Sequence, residues 1–112
     1  SDFNAVIDLG IEKELNSIEA RFLQNNNSWI FMPKAVEFAL STDGKYFDTV
    51  YIDHNDISPK TTEAVLKDFK TKMNGRKARY VRVHAKNRGT CPEWHPGAGG
   101  KAWLFVDEIV IR

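Results

Sequence analysis

Residues 30–47 read Ile30-Phe31-Met32-Pro33-Lys34-Ala35-Val36-Glu37-Phe38-Ala39-Leu40-Ser41-Thr42-Asp43-Gly44-Lys45-Tyr46-Phe47. Val36, Phe38 and Leu40 occupy alternate positions, the two-residue period of a strand with one buried face. Ser41 to Lys45 follows, and Asp-Gly between apolar runs marks a hairpin, because glycine takes the left-handed backbone that such turns need. The spacing predicts that Tyr46 to Ile52 returns antiparallel.

The same period extends outward. Phe3, Ala5, Ile7 and Leu9 alternate with Asn4, Val6 and Asp8, and Ile18, Ala20 and Phe22 alternate with Ser17, Glu19 and Arg21. Val81, Val83 and Ala85 face one way, while Tyr80, Arg82, His84 and Lys86 face the other. Trp103 to Ile111 is apolar enough for a central strand, and its phase changes at Asp107 and Glu108, which predicts a bulge. Thr62 to Met73 suits two readings: Val65, Leu66, Phe69 and Met73 fit a helix, and Val65 and Phe69 flanking Lys67 fit a strand. The strand is the reading taken. About seven short strands with long connections and no repeat predict an all-β antiparallel sandwich.

With 112 residues, 42% of them hydrophobic, the chain is sized for one domain over 1–112 with a core that needs no disulfide. The lone Cys91 has no internal partner, which leaves the redox compartment open. No apolar run approaches the roughly 20 residues of a membrane span. Strand-like alternation begins by Phe3 with no signal peptide before it, so the sequence reads as a domain cut from a longer chain. The net charge of +1 argues against a general polyanion binder. Yet nine of the sixteen basic residues lie between 67 and 88, with Asp68 as the only acid among them. Such a segment is a set of solvent-facing strand positions or an attractor of anionic surfaces.

The stretch from Asn87 to Trp103 is too rich in glycine and proline for a regular element, and a loop this long is functional or disordered. Its tryptophans favour packing or a ligand. Chemistry at such a site is disfavoured. Asp107 and Glu108 are neighbours on a strand and point apart, whereas paired glycosidase carboxyls flank one bond. Cys91 lacks an orienting third group beside His95. His54, His84 and His95 are dispersed for zinc, and Gly97, Gly99 and Gly100 lead into a strand instead of a phosphate-binding helix.

Residues 30–47, together with Ala5-Val6-Ile7-Asp8-Leu9-Gly10, Ala78-Arg79-Tyr80-Val81-Arg82-Val83 and Val106-Asp107-Glu108-Ile109, resemble in order the signature of the discoidin-like family, also called factor V/VIII type C or galactose-binding-like domains. The run from Cys91 to Trp103 resembles the subgroup at the C-termini of bacterial hexosaminidase or chitobiase-type glycoside hydrolases. The resemblance implies a jelly-roll sandwich. It also implies a non-catalytic carbohydrate-binding accessory domain, partnered by its own catalytic domain and a secreted, periplasmic or cell-surface setting. It would make Glu108 a ligand of a structural calcium. The family's opening strand and Asp-rich calcium loop are missing from this sequence or lie upstream.

A pyranose presents C–H groups on one face and hydroxyls at its rim, so its site needs an aromatic platform and polar partners. Two irregular segments offer them: Gln24 to Trp29, and Arg88 with Glu93, Trp94, His95 and Lys101. The candidate contacts are Trp94, His95, Trp29, Asn26, Asn27, Arg88 and Glu93, with Arg21 added because the resemblance pairs an arginine and an asparagine at such a spacing. The ligand would be a neutral galactose- or N-acetylhexosamine-type glycan; nucleic acid is not expected. Plainer roles stand beside these: Trp29 and Trp103 as packing plugs, His95 as a hydrogen bond within the loop, the asparagines as turn formers, and Arg88 as a brace to Glu93. The alternatives for the whole domain are an interdomain packing module and recognition of an anionic surface or a protein.

Overall fold

The computed structural model describes every residue except Ser1, Thr62, Glu93 and Pro96. Five strands make one antiparallel sheet: β1 (Phe3–Gln24), β2 (Ala35–Ser41), β3 (Asp48–His54), β4 (Val65–Lys86) and β5 (Val106–Ile111), in the order β3-β2-β4-β1-β5. A 22-residue strand such as β1 would reach about 70 Å if straight. The molecule measures only 47 Å along its longest axis, and the rings of Phe3 and Phe22, near opposite ends of β1, meet edge to face at 6.2 Å. The strand therefore doubles back. The sheet folds over itself, and its two halves become the layers of a sandwich.

The fold line is written in the backbone. Register shifts separate Asp8 from Lys13 and Leu15 from Ser17 in the pairing of β1 with β4. Gly10 on β1 and the pair Asn74-Gly75 on β4 take positive φ beside those shifts. The bulges also change the parity of the inward face, from Phe3 and Ile7 to Ile18, Ala20 and Phe22. One layer joins β3, β2, the second half of β4 and the start of β1; the other joins the first half of β4, the end of β1 and β5. Between them lie Phe22, Phe38, Phe69, Val36, Val81, Val83 and Ile18, all fully buried.

The expected sandwich is present, with five strands in place of seven, because two pairs of expected strands are continuous across the fold line. The segment read both ways is strand from Val65 onward. The hairpin after Leu40 forms as expected, although its return begins at Asp48. Asp43 Oδ1 accepts from the amides of Lys45 and Tyr46, and Ser41 Oγ accepts from Gly44 N–H. The last strand is corrected from central to edge: among the described residues β5 pairs only with β1. Its bulge is where the phase change put it, since Glu108 faces Arg21 and Val106 faces Phe22, leaving Asp107 as the extra residue.

Candidate functional site

At one end of the sandwich the chain between β1 and β2 closes on itself through the Asn25 and Ile30 backbones. Asn26–Ser28 form a 3-10 turn, and Trp29 follows in the left-handed region at φ 63°. A bulky residue there is strained. Neighbours hold it: its N–H donates to the Asn26 carbonyl at 3.1 Å and its carbonyl accepts from Trp103 N–H at 2.9 Å. Its indole lies on Gly97 and Gly100, where an added Cβ would come within 2.6 Å and 2.8 Å of ring atoms. The glycine run is thus the floor under a tryptophan.

His95 is the centre of the arrangement and is only 6% exposed. Its Nδ1 accepts from Gly97 N–H at 2.9 Å, so the proton sits on Nε2, which donates to the Asn26 carbonyl. The rings of Phe31, Trp94 and Trp29 surround it edge-on, at 5.4, 5.8 and 6.1 Å. Both nitrogens are used inside the protein, so His95 locks two loops together and has no nitrogen left for a ligand. Asn26 is likewise buried, and its Nδ2 donates to the carbonyls of Pro59 and Thr61 at 3.1 and 3.0 Å.

What reaches solvent is the tryptophans: Trp94 is 44% and Trp29 is 39% exposed. Asn27 is exposed in the 3-10 turn just before Trp29. Arg88 is half-buried, with its Nε donating to the Thr90 carbonyl at 3.0 Å and its guanidinium over the buried Phe31 ring at 5.3 Å. Below the loop, Cys91 packs with Phe31 and Ala102 in a small core of its own. Glu93, named with these residues from the sequence, lies outside the described residues.

A third segment, which sequence reasoning missed, completes the end. Lys60 places its Nζ 5.8 Å from the Trp94 ring, and the Gln24 side chain donates to the Ser58 carbonyl at 2.9 Å and accepts from Met32 N–H at 3.3 Å. The available signal was Gln24 itself. It shares the inward parity of Ile18, Ala20 and Phe22, and a buried amide at such a position must find partners.

Arg21 belongs elsewhere. On β1 it is gripped by Asp68 of β4 at 2.8 Å and approached by Asp107 and Glu108 of β5 at 3.8 and 3.9 Å. The hydrogen bond that Arg21 donates to Asp68, followed by that carboxylate's charge, holds the guanidinium proton more tightly than usual. The Glu108 carboxylate thus faces a guanidinium, and among the described residues no group of three or more His, Cys, Asp or Glu is placed to hold a metal.

The sequence model of the F5/8 type C domain matches residues 1–105. The chain belongs to the F5/8 type C family. No curated protein matches it by sequence. Among solved structures it is similar to the C-terminal domain of a chitobiase from Bacteroides fragilis, at 17% identity and a TM-score of 0.60, over 100% of this chain and 63% of that one. It is also similar to CBM32-1 of a family 31 glycoside hydrolase from Clostridium perfringens, at 23% identity and a TM-score of 0.50, over 78% of this chain and 66% of the other. The chain spans less than two thirds of each of those chains, and at these identities the likeness is one of fold. In this F5/8 type C domain the irregular segments that carry Trp29, Lys60 and Trp94 converge at one end, and no helix among the described residues is long and apolar enough to cross a membrane.

Proposed function

We propose that this F5/8 type C domain is a non-catalytic carbohydrate-binding accessory module whose site is the tryptophan-bearing end. One observation carries the reading: Trp94 and Trp29 stay open to solvent while a buried, doubly bonded His95 fixes both indoles. A fixed aromatic face loses little conformational freedom on stacking a sugar ring, and burying the ring's C–H patch contributes on the order of a few kcal/mol. Asn27, Arg88 and Lys60 supply rim donors and acceptors, while His95 and Asn26 act by positioning. The neutral indole faces suit a galactose- or N-acetylhexosamine-type sugar. The similar structures come from a chitobiase and a glycoside hydrolase. They support a role in holding a parent glycoside hydrolase near glycan, in a secreted or cell-surface setting. Titration of the domain with galactose, N-acetylgalactosamine, N-acetylglucosamine and chitobiose tests the reading. Millimolar binding to at least one, weakened about tenfold by Trp94→Ala, supports it; binding to none refutes it.

A second reading, packing against the parent catalytic domain, is favoured by exposed apolar residues beside this end. Leu23 pairs with Leu66, its N–H donates to the Phe105 carbonyl, and Leu66, Phe105 and Trp103 are all exposed. In that case Trp94→Ala lowers the stability of the longer enzyme and leaves glycan binding unchanged.

A further inference from the structure

The basic stretch between residues 67 and 88 is sorted by the fold. Lys67 pairs with Asp56, Arg76 with Asp48 and Arg79 with Asp8, while Arg82 and Arg88 lie over Phe47 and Phe31. Lys70, Lys72, Lys77 and Lys86 form no ion pair with a carboxylate among the described residues, and Lys70 and Lys72 are the two that share a cleft. Both are exposed on the outward face of β4, opposite Glu19 and Ser17, and neither has a carboxylate partner among the described residues. They stand at the seam where the outer edge of β3 approaches the first half of β4, marked by the Lys70 N–H donating to Asp53 Oδ2 at 3.1 Å.

A cleft of about 460 Å³ opens at this seam, lined by Ser17, Glu19, Tyr51, Lys70, Thr71 and Lys72. The acids around it are already engaged: Asp53 by the Lys70 amide, Asp56 by Lys67, Asp68 by Arg21, and Glu19 by Arg112 at 3.3 Å. Neither ammonium group forms an ion pair with a carboxylate among the described residues, and the Tyr51 ring beside them is 47% exposed. Alternate strand positions set the two lysine stems side by side, about 7 Å apart.

We propose that this cleft is a second binding site, separate from the tryptophan end, for an anionic pyranose: a sugar ring bearing a sulfate or a carboxylate. The ring lies on Tyr51, the anionic group sits between Lys70 and Lys72, and Ser17 and Thr71 offer hydroxyls to the rim. A partly enclosed cleft strengthens such charge pairing relative to open water, and the exposed lysines make it sensitive to salt. The site shares no residue with the loop site and does not depend on it.

The test is NMR titration of the whole domain with a heparin-derived tetrasaccharide, with tetragalacturonate and with neutral chitotetraose. Binding of at least one anionic probe, with shifts at Tyr51, Lys70 and Lys72, is expected, and the tighter of the two distinguishes sulfate from carboxylate. The neutral probe leaves these residues unshifted. Lys70→Gln with Lys72→Gln weakens anionic binding about tenfold, and Tyr51→Ala weakens it as well. Lys77→Gln with Lys86→Gln, which removes the same charge elsewhere, changes it less than about twofold. Equal losses from the two double variants, no effect of Tyr51→Ala, or binding to phosphatidylglycerol vesicles but to neither anionic saccharide would overturn the proposal.

Discussion

His95 and Asn26 are joined by a buried hydrogen bond from imidazole Nε2 to a backbone carbonyl, and it ties the loop after β4 to the turn after β1. Because Nδ1 is also occupied by Gly97 N–H, no substitution replaces both contacts. His95→Ala takes the acceptor from the buried Gly97 N–H, removes one of the two donors to the Asn26 carbonyl, and opens a cavity beneath three aromatic rings. A loss of about 2–4 kcal/mol follows, read as a lower urea midpoint. A midpoint within experimental error of the parent would mean the lock does not support the fold.

Gly97 makes a separate prediction about shape. A methyl group there would meet the Trp29 indole at 2.6 Å, so Gly97→Ala displaces the ring. It should cost about 1–3 kcal/mol and red-shift tryptophan emission as Trp29 leaves its seat for solvent. Ala98 is exposed, and Ala98→Ser should change neither readout.

The contact between Phe3 and Phe22 reports the folding-over of the sheet. Phe22 is fully buried and also meets Phe69 edge to face at 5.7 Å. Phe22→Ala should cost about 3–5 kcal/mol. A double-mutant cycle with Phe3→Ala should show coupling of about 0.5–1.5 kcal/mol. Additive effects would mean that the two ends of β1 do not touch in solution.

Acid should weaken the domain through its turns. The backbone amides of Tyr46 and Lys45, then the Ser41 hydroxyl, hold the Asp43 carboxyl below its ordinary 3.8. Arg79 does the same for Asp8 and the Asn87 amide for Asp2. A carboxyl whose folded pKa is depressed contributes stability that is fully present above the unfolded value and is lost as pH falls through the folded one. The urea midpoint should be flat from neutral pH down to about 5 and fall below about 4. Asp43→Asn should lower the plateau and shallow the fall.

Much of this was legible in the sequence, for identifiable reasons. Two-residue alternation exposed the strand faces, Asp43-Gly44 exposed the hairpin, and the phase change at Asp107 exposed the bulge. Continuity of β1 was not legible, since Gly10 and the parity change between Leu9 and Ile18 look the same whether a strand ends or folds over. Within the loop, sequence singled out Trp94, Trp29 and His95 together, and the fold brings them together. It did not separate exposed indoles from a buried imidazole, because that division depends on Asn26 and Gly97 arriving from two loops. Arg21 was attached to them through the resemblance, which pairs an arginine and an asparagine at such a spacing, and the fold sets it against Asp68.

The central claim is that Trp94 and Trp29 form a fixed sugar platform, and the three tryptophan indole N–H resonances report on it directly. In a titration with galactose, N-acetylgalactosamine, N-acetylglucosamine and chitobiose to millimolar concentration, the resonances of Trp94 and Trp29 should move together and saturate with a single affinity for at least one sugar. Unmoved Trp94 and Trp29 resonances with all four sugars would contradict the account.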